Sequence, residues 1–222
     1  MKPVVVIHIP KTAGTSLRKI IKNNYDAREL FFVYDNHPKH HSLKELRNLN
    51  KTEIDKLKII MGHFPFKRSL FLSENSRFLT VLREPVERTV SYYHHVMTYN
   101  NGWKGNKASL LDYLDNSGDL QMVNHQTRVL SGMDDPITEK HVEQAIKNMD
   151  KYFLHVGISE NFSGFVNEAG NLLGWQDKNI TYENRSTNRP EVPSFSIYEL
   201  SRIKEANKHD LALYEYVKSR LK

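Results

Sequence analysis

Apolar positions along the 222-residue chain follow two periods that take turns. Short β-branched or aromatic runs at Val4–Ile9, Leu30–Tyr34, Lys58–Phe64, Arg77–Leu82 and Tyr152–Ile158 predict strands, with a shorter one at Ile180–Tyr182. Between them, apolar residues recur three or four positions apart. Leu17, Ile20 and Ile21 mark one helix, Leu43, Leu46 and Leu49 another, and Val86, Val90, Tyr93 and Met97 a third that starts after Pro85 and runs to about Tyr99. Leu110–Leu114, Leu120–Leu130, Ile137–Met149, Phe162–Trp175 and Ile197–Leu221 complete the helical pattern, the last with a break near His209-Asp210. Strands that alternate with helices imply an α/β fold: three layers, with a mostly parallel central sheet flanked by helices. No repeat, low-complexity tract or linker interrupts the pattern, so a single domain over 1–222 is expected.

Composition narrows the chemistry. The chain has no cysteine, which excludes disulfides, thiolate catalysis and cysteine-ligated metals. A net charge of +6 favours anionic partners, and leaves nucleic acid, acidic glycan, anionic lipid and nucleotide open. The opening apolar run is short and lacks a small-residue cleavage site. No run approaches the roughly 20 apolar residues that span a bilayer. The expectation is a cytoplasmic protein without a membrane span.

Sheets of this kind bind ligands at the carboxyl ends of their strands. After the first predicted strand comes the loop Lys11-Thr12-Ala13-Gly14-Thr15-Ser16, and then a helix beginning at Ser16 or Leu17. Strand, tight loop and helix N-terminus make a phosphate site, because loop N–H groups and the helix dipole converge there. Lys11 adds charge, and Thr12, Thr15 and Ser16 add hydroxyl donors. The nucleotide P-loop pattern Gly-x-x-x-x-Gly-Lys-Ser/Thr is not matched, since lysine here precedes the single glycine. Arg83 ends another strand, and Ser91 lies roughly 9 Å along the helix from Pro85 at 1.5 Å per residue, so the two could grip one phosphate. His63 also falls at a strand end. Three further features carry weaker chemistry: the His37, His40 and His41 cluster, His94-His95, and the loop Tyr99–Lys107 with Trp103, Lys104 and Lys107, which suits an acceptor with a ring and an acid group.

These residues resemble a known family. Ile9-Pro-Lys-Thr-Ala-Gly-Thr-Ser16, Gly62-His-Phe64, Leu82-Arg-Glu-Pro-Val-Glu-Arg88 with Ser91-Tyr-Tyr93, Asn124-His-Gln-Thr-Arg-Val-Leu130, Val156-Gly-Ile-Ser-Glu160 and Asn184-Arg-Ser-Thr-Asn-Arg-Pro190 are similar, in order and spacing, to sulfotransferases that use 3′-phosphoadenosine 5′-phosphosulfate (PAPS). Within that family they sit nearest the heparan sulfate 2-O- and 6-O-sulfotransferase branch. The resemblance implies a P-loop-like fold, PAPS as donor, the bisphosphate PAP as product, and no metal. It implies that Lys11, Thr12, Ala13, Gly14, Thr15 and Ser16 hold the 5′-phosphosulfate, that Arg83 and Ser91 bind the 3′-phosphate, and that Asn184, Arg185, Ser186 and Arg189 belong to a loop over the cofactor. His63 matches the catalytic base, and Lys11 lies near the leaving phosphate oxygen. Ala13 stands where many relatives carry a second glycine. The implied partner is a hydroxyl-bearing acceptor, an anionic compound or glycan, and not nucleic acid; the oligomeric state stays open.

Two rival classes remain. A nucleotide kinase or hydrolase on the same core would need Mg²⁺ and an acidic ligand, for which Glu84 is the one clear candidate. A noncatalytic polyanion binder would rely on the basic surface, with steep salt dependence.

Overall fold

In a computed structural model, the described residues are 2–35, 38–72, 76–99, 108–180 and 195–221. Five strands, β1 (Val4–Ile7), β2 (Leu30–Val33), β3 (Ile59–Gly62), β4 (Arg77–Leu82) and β5 (Phe153–Ile158), form one sheet in the order β2-β3-β1-β4-β5. Each described pairing is parallel, with Val4 opposite Ile59 on one side of β1 and Arg77 on the other. The helices are α1 (Gly14–Asn24), α2 (Leu43–Asn48), α3 (Lys51–Ile54), α4 (Phe66–Ser69), α5 (Pro85–Tyr99), α6 (Leu110–Asn116), α7 (His125–Ser131), α8 (Glu139–Tyr152), α9 (Phe162–Leu173), α10 (Ile197–Ala206) and α11 (Lys208–Arg220).

Strand side chains alternate between the two faces of the sheet, so each face has its own core. Val5, Ile7, Ile60, Phe78 and Leu82 pack under Leu43, Leu46, Val129, Ala145 and Leu213, which places α2, α7, α8 and α11 on that face. Val6, Met61, Leu79 and Val81 pack under Leu17, Ile20, Ile21, Phe165 and Ala169, which places α1 and α9 on the other. A third cluster, with Val86, Val90, Tyr113 and Ile203, joins α5, α6 and α10 beside the sheet. The three-layer α/β expectation holds, and the sheet is parallel throughout its described pairings.

Helix boundaries depart from the sequence pattern at several points: α8 starts two residues late and runs on to Tyr152, which the pattern places in the strand, and α6 and α9 end at Asn116 and Leu173. α1 begins at Gly14 rather than Ser16 or Leu17, because the loop residue Ala13 already serves as its N-cap. The helix expected over Leu120–Leu130 is two pieces, a 3₁₀ turn at Leu120–Met122 and then α7, parted by Asn124 at φ 46°. The break expected near His209-Asp210 falls at Asn207, whose side chain bonds to Met122 and Ile203 carbonyls. Of the short strand expected at Ile180–Tyr182, only Ile180 lies inside the described residues, and it is not in a strand.

Candidate active site

All five strands point the same way, so the loops after β1, β2, β3 and β4 open on one edge of the sheet. β1 is central there. It carries the 8–13 loop, and its neighbours β3 and β4 are followed directly by His63 and Arg83.

The loop is wound tightly. Lys11 and Ala13 both take left-handed backbone conformations, φ 73° and 66°, which side-chain-bearing residues rarely adopt. Thr12 is buried, and its hydroxyl donates to the Ile9 carbonyl at 2.8 Å. Thr12 therefore shapes the turn rather than offering its proton outward. Gly14 and Ser16 are buried, and Thr15 is half-buried. No acidic residue lies in the first turn of α1 and no side chain caps it. The first turn of α1 thus supplies no anion of its own to the positive end of the helix dipole. Gly14 has a second reason to be glycine: a Cβ there would lie 1.7 Å from His8 Nε2.

His8 follows β1 directly and escapes the sequence analysis, where it reads as one more strand position. Its Nδ1 lies 2.9 Å from Tyr34 Oη and 3.1 Å from His63 Nε2. The His8 and His63 ring centroids are 4.5 Å apart, and Tyr34 stands edge-on to His63 at 4.6 Å. Three adjacent strands, β1, β2 and β3, each contribute one ring to this group. Gly62 makes the approach possible, since a Cβ there would meet the Val33 carbonyl oxygen at 2.1 Å. The His63 N–H donates to that same oxygen at 3.1 Å.

Burial holds His8 well below the ordinary histidine range; His63 beside it opposes protonation of both rings at once, and Arg18 and Lys11 add positive charge nearby. His63 is lowered to about 4, by burial first and by Arg18 and His95 next. His63 is nonetheless exposed to solvent, so burial penalises its charged form less than it does that of the more deeply buried His8. Both imidazoles are thus neutral at pH 7. Arg18, from α1, lies 5.3 Å over the Tyr34 ring and 3.3 Å from His40 Nε2.

On the other side of β1, the Arg83 guanidinium donates to the Lys11 carbonyl at 3.2 Å and to Glu87 Oε2 at 3.0 Å. It therefore ties the end of β4 to the 8–13 loop. Ser91 is buried on α5, and His95 lies near enough to Lys11 to feel its charge. Arg88, on the same helix, is fully buried and donates to the Gln121 carbonyl at 2.6 Å.

Several sequence candidates separate. His40 turns toward Arg18 and Tyr34, while His41 stacks on Phe31 at 4.1 Å and pairs with Glu45. His37 lies outside the described residues, as do Trp103, Lys104, Lys107, Asn184, Arg185, Ser186 and Arg189. Among the described residues, no group of three His, Asp or Glu is arranged to hold a metal ion, and no helix is long and apolar enough to cross a membrane.

A parallel α/β sheet with an anion-ready loop after its central strand defines the class to which the fold and site belong. A model described as the sulfotransferase family matches residues 2–217, and the chain belongs to that family. Solved structures to which the chain is similar include mouse sulfotransferase SULT7A1 complexed with PAP, at 14% identity, TM-score 0.48, over 95% of this chain and 64% of that one. This chain thus spans less than two thirds of the mouse protein. A sulfotransferase from Alicyclobacillus acidocaldarius matches at 14% identity, TM-score 0.49, over 97% of this chain and 99% of that one. Retinol dehydratase in a complex with retinol and PAP matches at 12% identity, TM-score 0.44, over 82% and 62%. No curated protein matches the chain at a significant level.

Proposed function

We propose that the protein is a PAPS-dependent O-sulfotransferase, acting on a carbohydrate or other small alcohol with His63 as general base. The observation that carries this is the pairing, across β1, of an acid-free helix N-terminus with a neutral histidine on the neighbouring strand end. The residues fit the nucleotide. In this reading the 8–13 loop and the first turn of α1 offer backbone N–H groups and Lys11 to a 5′-phosphosulfate, and Arg83 with the buried Ser91 of α5 takes the 3′-phosphate. The order of motifs supports a position nearest the heparan sulfate 2-O- and 6-O-sulfotransferase branch, and Asn184, Arg185, Ser186 and Arg189 complete the cofactor site in this proposal. A cytoplasmic location goes with the same reading.

PAPS, when bound, supplies an activated sulfuryl group whose leaving phosphate needs charge stabilisation and no metal. An alcohol is a weak nucleophile until its proton is taken. His63 takes it at Nδ1, because His8 occupies the Nε2 side at 3.1 Å. His63 is unprotonated at neutral pH and so able to accept the proton, and its Nε2 lies against His8 Nδ1, which leaves Nδ1 for the acceptor. Lys11 and the loop N–H groups stabilise the negative charge that develops opposite.

The test is transfer itself. PAPS labelled in its sulfuryl group, incubated with panels of sugars, sterols, phenols and peptides, should yield a product heavier by one sulfuryl group, and His63→Ala should abolish it. An unlabelled product with every acceptor class, together with ATP consumption in Mg²⁺, would favour the kinase or hydrolase instead.

A further inference from the structure

The ladder between β4 and β5 ends at Leu82 opposite Ile158. Arg83 is the next residue, so its backbone N–H and carbonyl leave the sheet without a strand beside them. Gln126 takes the strand's place. Its Oε1 accepts from the Arg83 N–H at 2.9 Å, and its Nε2 donates to the Arg83 carbonyl at 2.9 Å. A primary amide offers an acceptor and a donor side by side, as a neighbouring strand does. Glutamate lacks the donor, methionine lacks both, and asparagine is one methylene shorter.

Gln126 is itself held on all sides. It is fully buried, in the first turn of α7. The Asp210 carboxylate accepts from the N–H groups of Gln126 and Thr127 at 3.0 and 2.7 Å. In return, Asn124 Oδ1 accepts from the N–H groups of His209 and Asp210 at the start of α11, at 3.0 and 3.2 Å. The starts of α7 and α11 thus cap each other. Asn207 locks the joint by accepting from the Asn124 N–H at 2.9 Å. From this brace the chain of contacts runs through Gln126 to the Arg83 backbone, and through the Arg83 guanidinium to the Lys11 carbonyl.

We propose that Gln126 is a positioning residue: it fixes the Arg83 main chain so that the guanidinium meets the 3′-phosphate of the bound nucleotide. This rests on the assignment of Arg83 to that phosphate. A guanidinium reaches only as accurately as its backbone is placed, and a misplacement of about an ångström costs much of a charge-assisted hydrogen bond.

Calorimetric titration with PAP and with AMP, which lacks the 3′-phosphate, separates this role from a merely structural one. Gln126→Met should weaken PAP binding about tenfold or more and leave AMP within about twofold. In turnover, KM for PAPS should rise more than kcat falls. If Gln126→Met does not fold, Gln126→Glu, which keeps one acceptor, should show the same selectivity to a smaller degree. Arg83→Ala is the control, and should weaken PAP selectively too. Equal losses for PAP and AMP in the Gln126 variants, or no loss, with Arg83→Ala still selective, would overturn the positioning role. No selectivity in Arg83→Ala would overturn the phosphate assignment, and the proposal with it.

Discussion

On the β3 side of β1, three rings meet within 6 Å of one another: Tyr34 stands edge to face with both His8 and His63, and the two imidazoles are tilted against each other. On the β4 side, hydrogen bonds replace rings, and Arg83 is held by Gln126, Glu87 and the Lys11 carbonyl. The first arrangement suits proton transfer, because packed rings and nearby cations keep imidazoles neutral. The second suits recognition of fixed charge, because a guanidinium needs placement and not tuning. The 8–13 loop lies between them and touches both, His8 pressing on Gly14 and Arg83 bonding to Lys11. In the proposed function, one edge of a sheet thus does two kinds of electrostatic work by two kinds of packing.

If the two flanks have these separate tasks, they should break separately. The largest expected effect is from His63→Ala: kcat should fall about a thousandfold, in the range for loss of a general base, with PAP affinity unchanged by calorimetry. A joint loss of turnover and PAP binding would mean that the ring flank also builds the cofactor site. Next is the brace. Asp210→Ala removes a buried carboxylate from two N–H groups and from the field of Arg88. It should cost about 3 kcal/mol in urea unfolding; a loss under ~1 kcal/mol would show that α7 and α11 do not depend on their mutual caps.

Acid should act on the ring flank before the other. His8 and His63 bind fewer protons folded than unfolded, so their folded pKa values lie below 6.5. Stability is then full above about pH 6.5 and is lost as pH falls from there toward the lowered values. The melting temperature should drop between pH 7 and 5, and His8→Phe, which cannot charge, should flatten that drop. The acid limb of the kcat profile should fall below pH 6.5, on the way to about 4; a limb at 6.5 or above would mean that the ring flank does not hold His63 neutral. The smallest effect is a gain. Ala13 sits at φ 66°, where glycine is unstrained. Ala13→Gly should raise stability by roughly 1 kcal/mol by thermal melting, with no change at His63.

Much of this was legible in the order of strands and helices. Parallel strands place their following loops on one edge, so Lys11–Ser16, His63 and Arg83 could be grouped without coordinates. The rest depended on contacts between residues far apart in the chain. His8 reads as an ordinary strand residue until the missing Cβ of Gly14 shows what the ring needs. Gln126 lies 43 residues from Arg83, and no local pattern pairs them. The helix expected over Leu120–Leu130 breaks at Asn124, because that side chain caps α11 and its backbone turns left-handed to reach it. Ala13 looks like a harmless replacement for glycine in sequence, and only the backbone angle gives it a cost.

The most direct test of the account is a calorimetric titration of the wild-type protein with PAP, and separately with ADP and Mg²⁺. An 8–13 loop and an Arg83 flank that hold opposite ends of one bisphosphate nucleotide should bind PAP about a hundredfold more tightly than ADP, since a phosphate at the 3′ position adds charge-assisted contacts at Arg83. Equal affinities, or heat from ADP with Mg²⁺ and none from PAP, would contradict it.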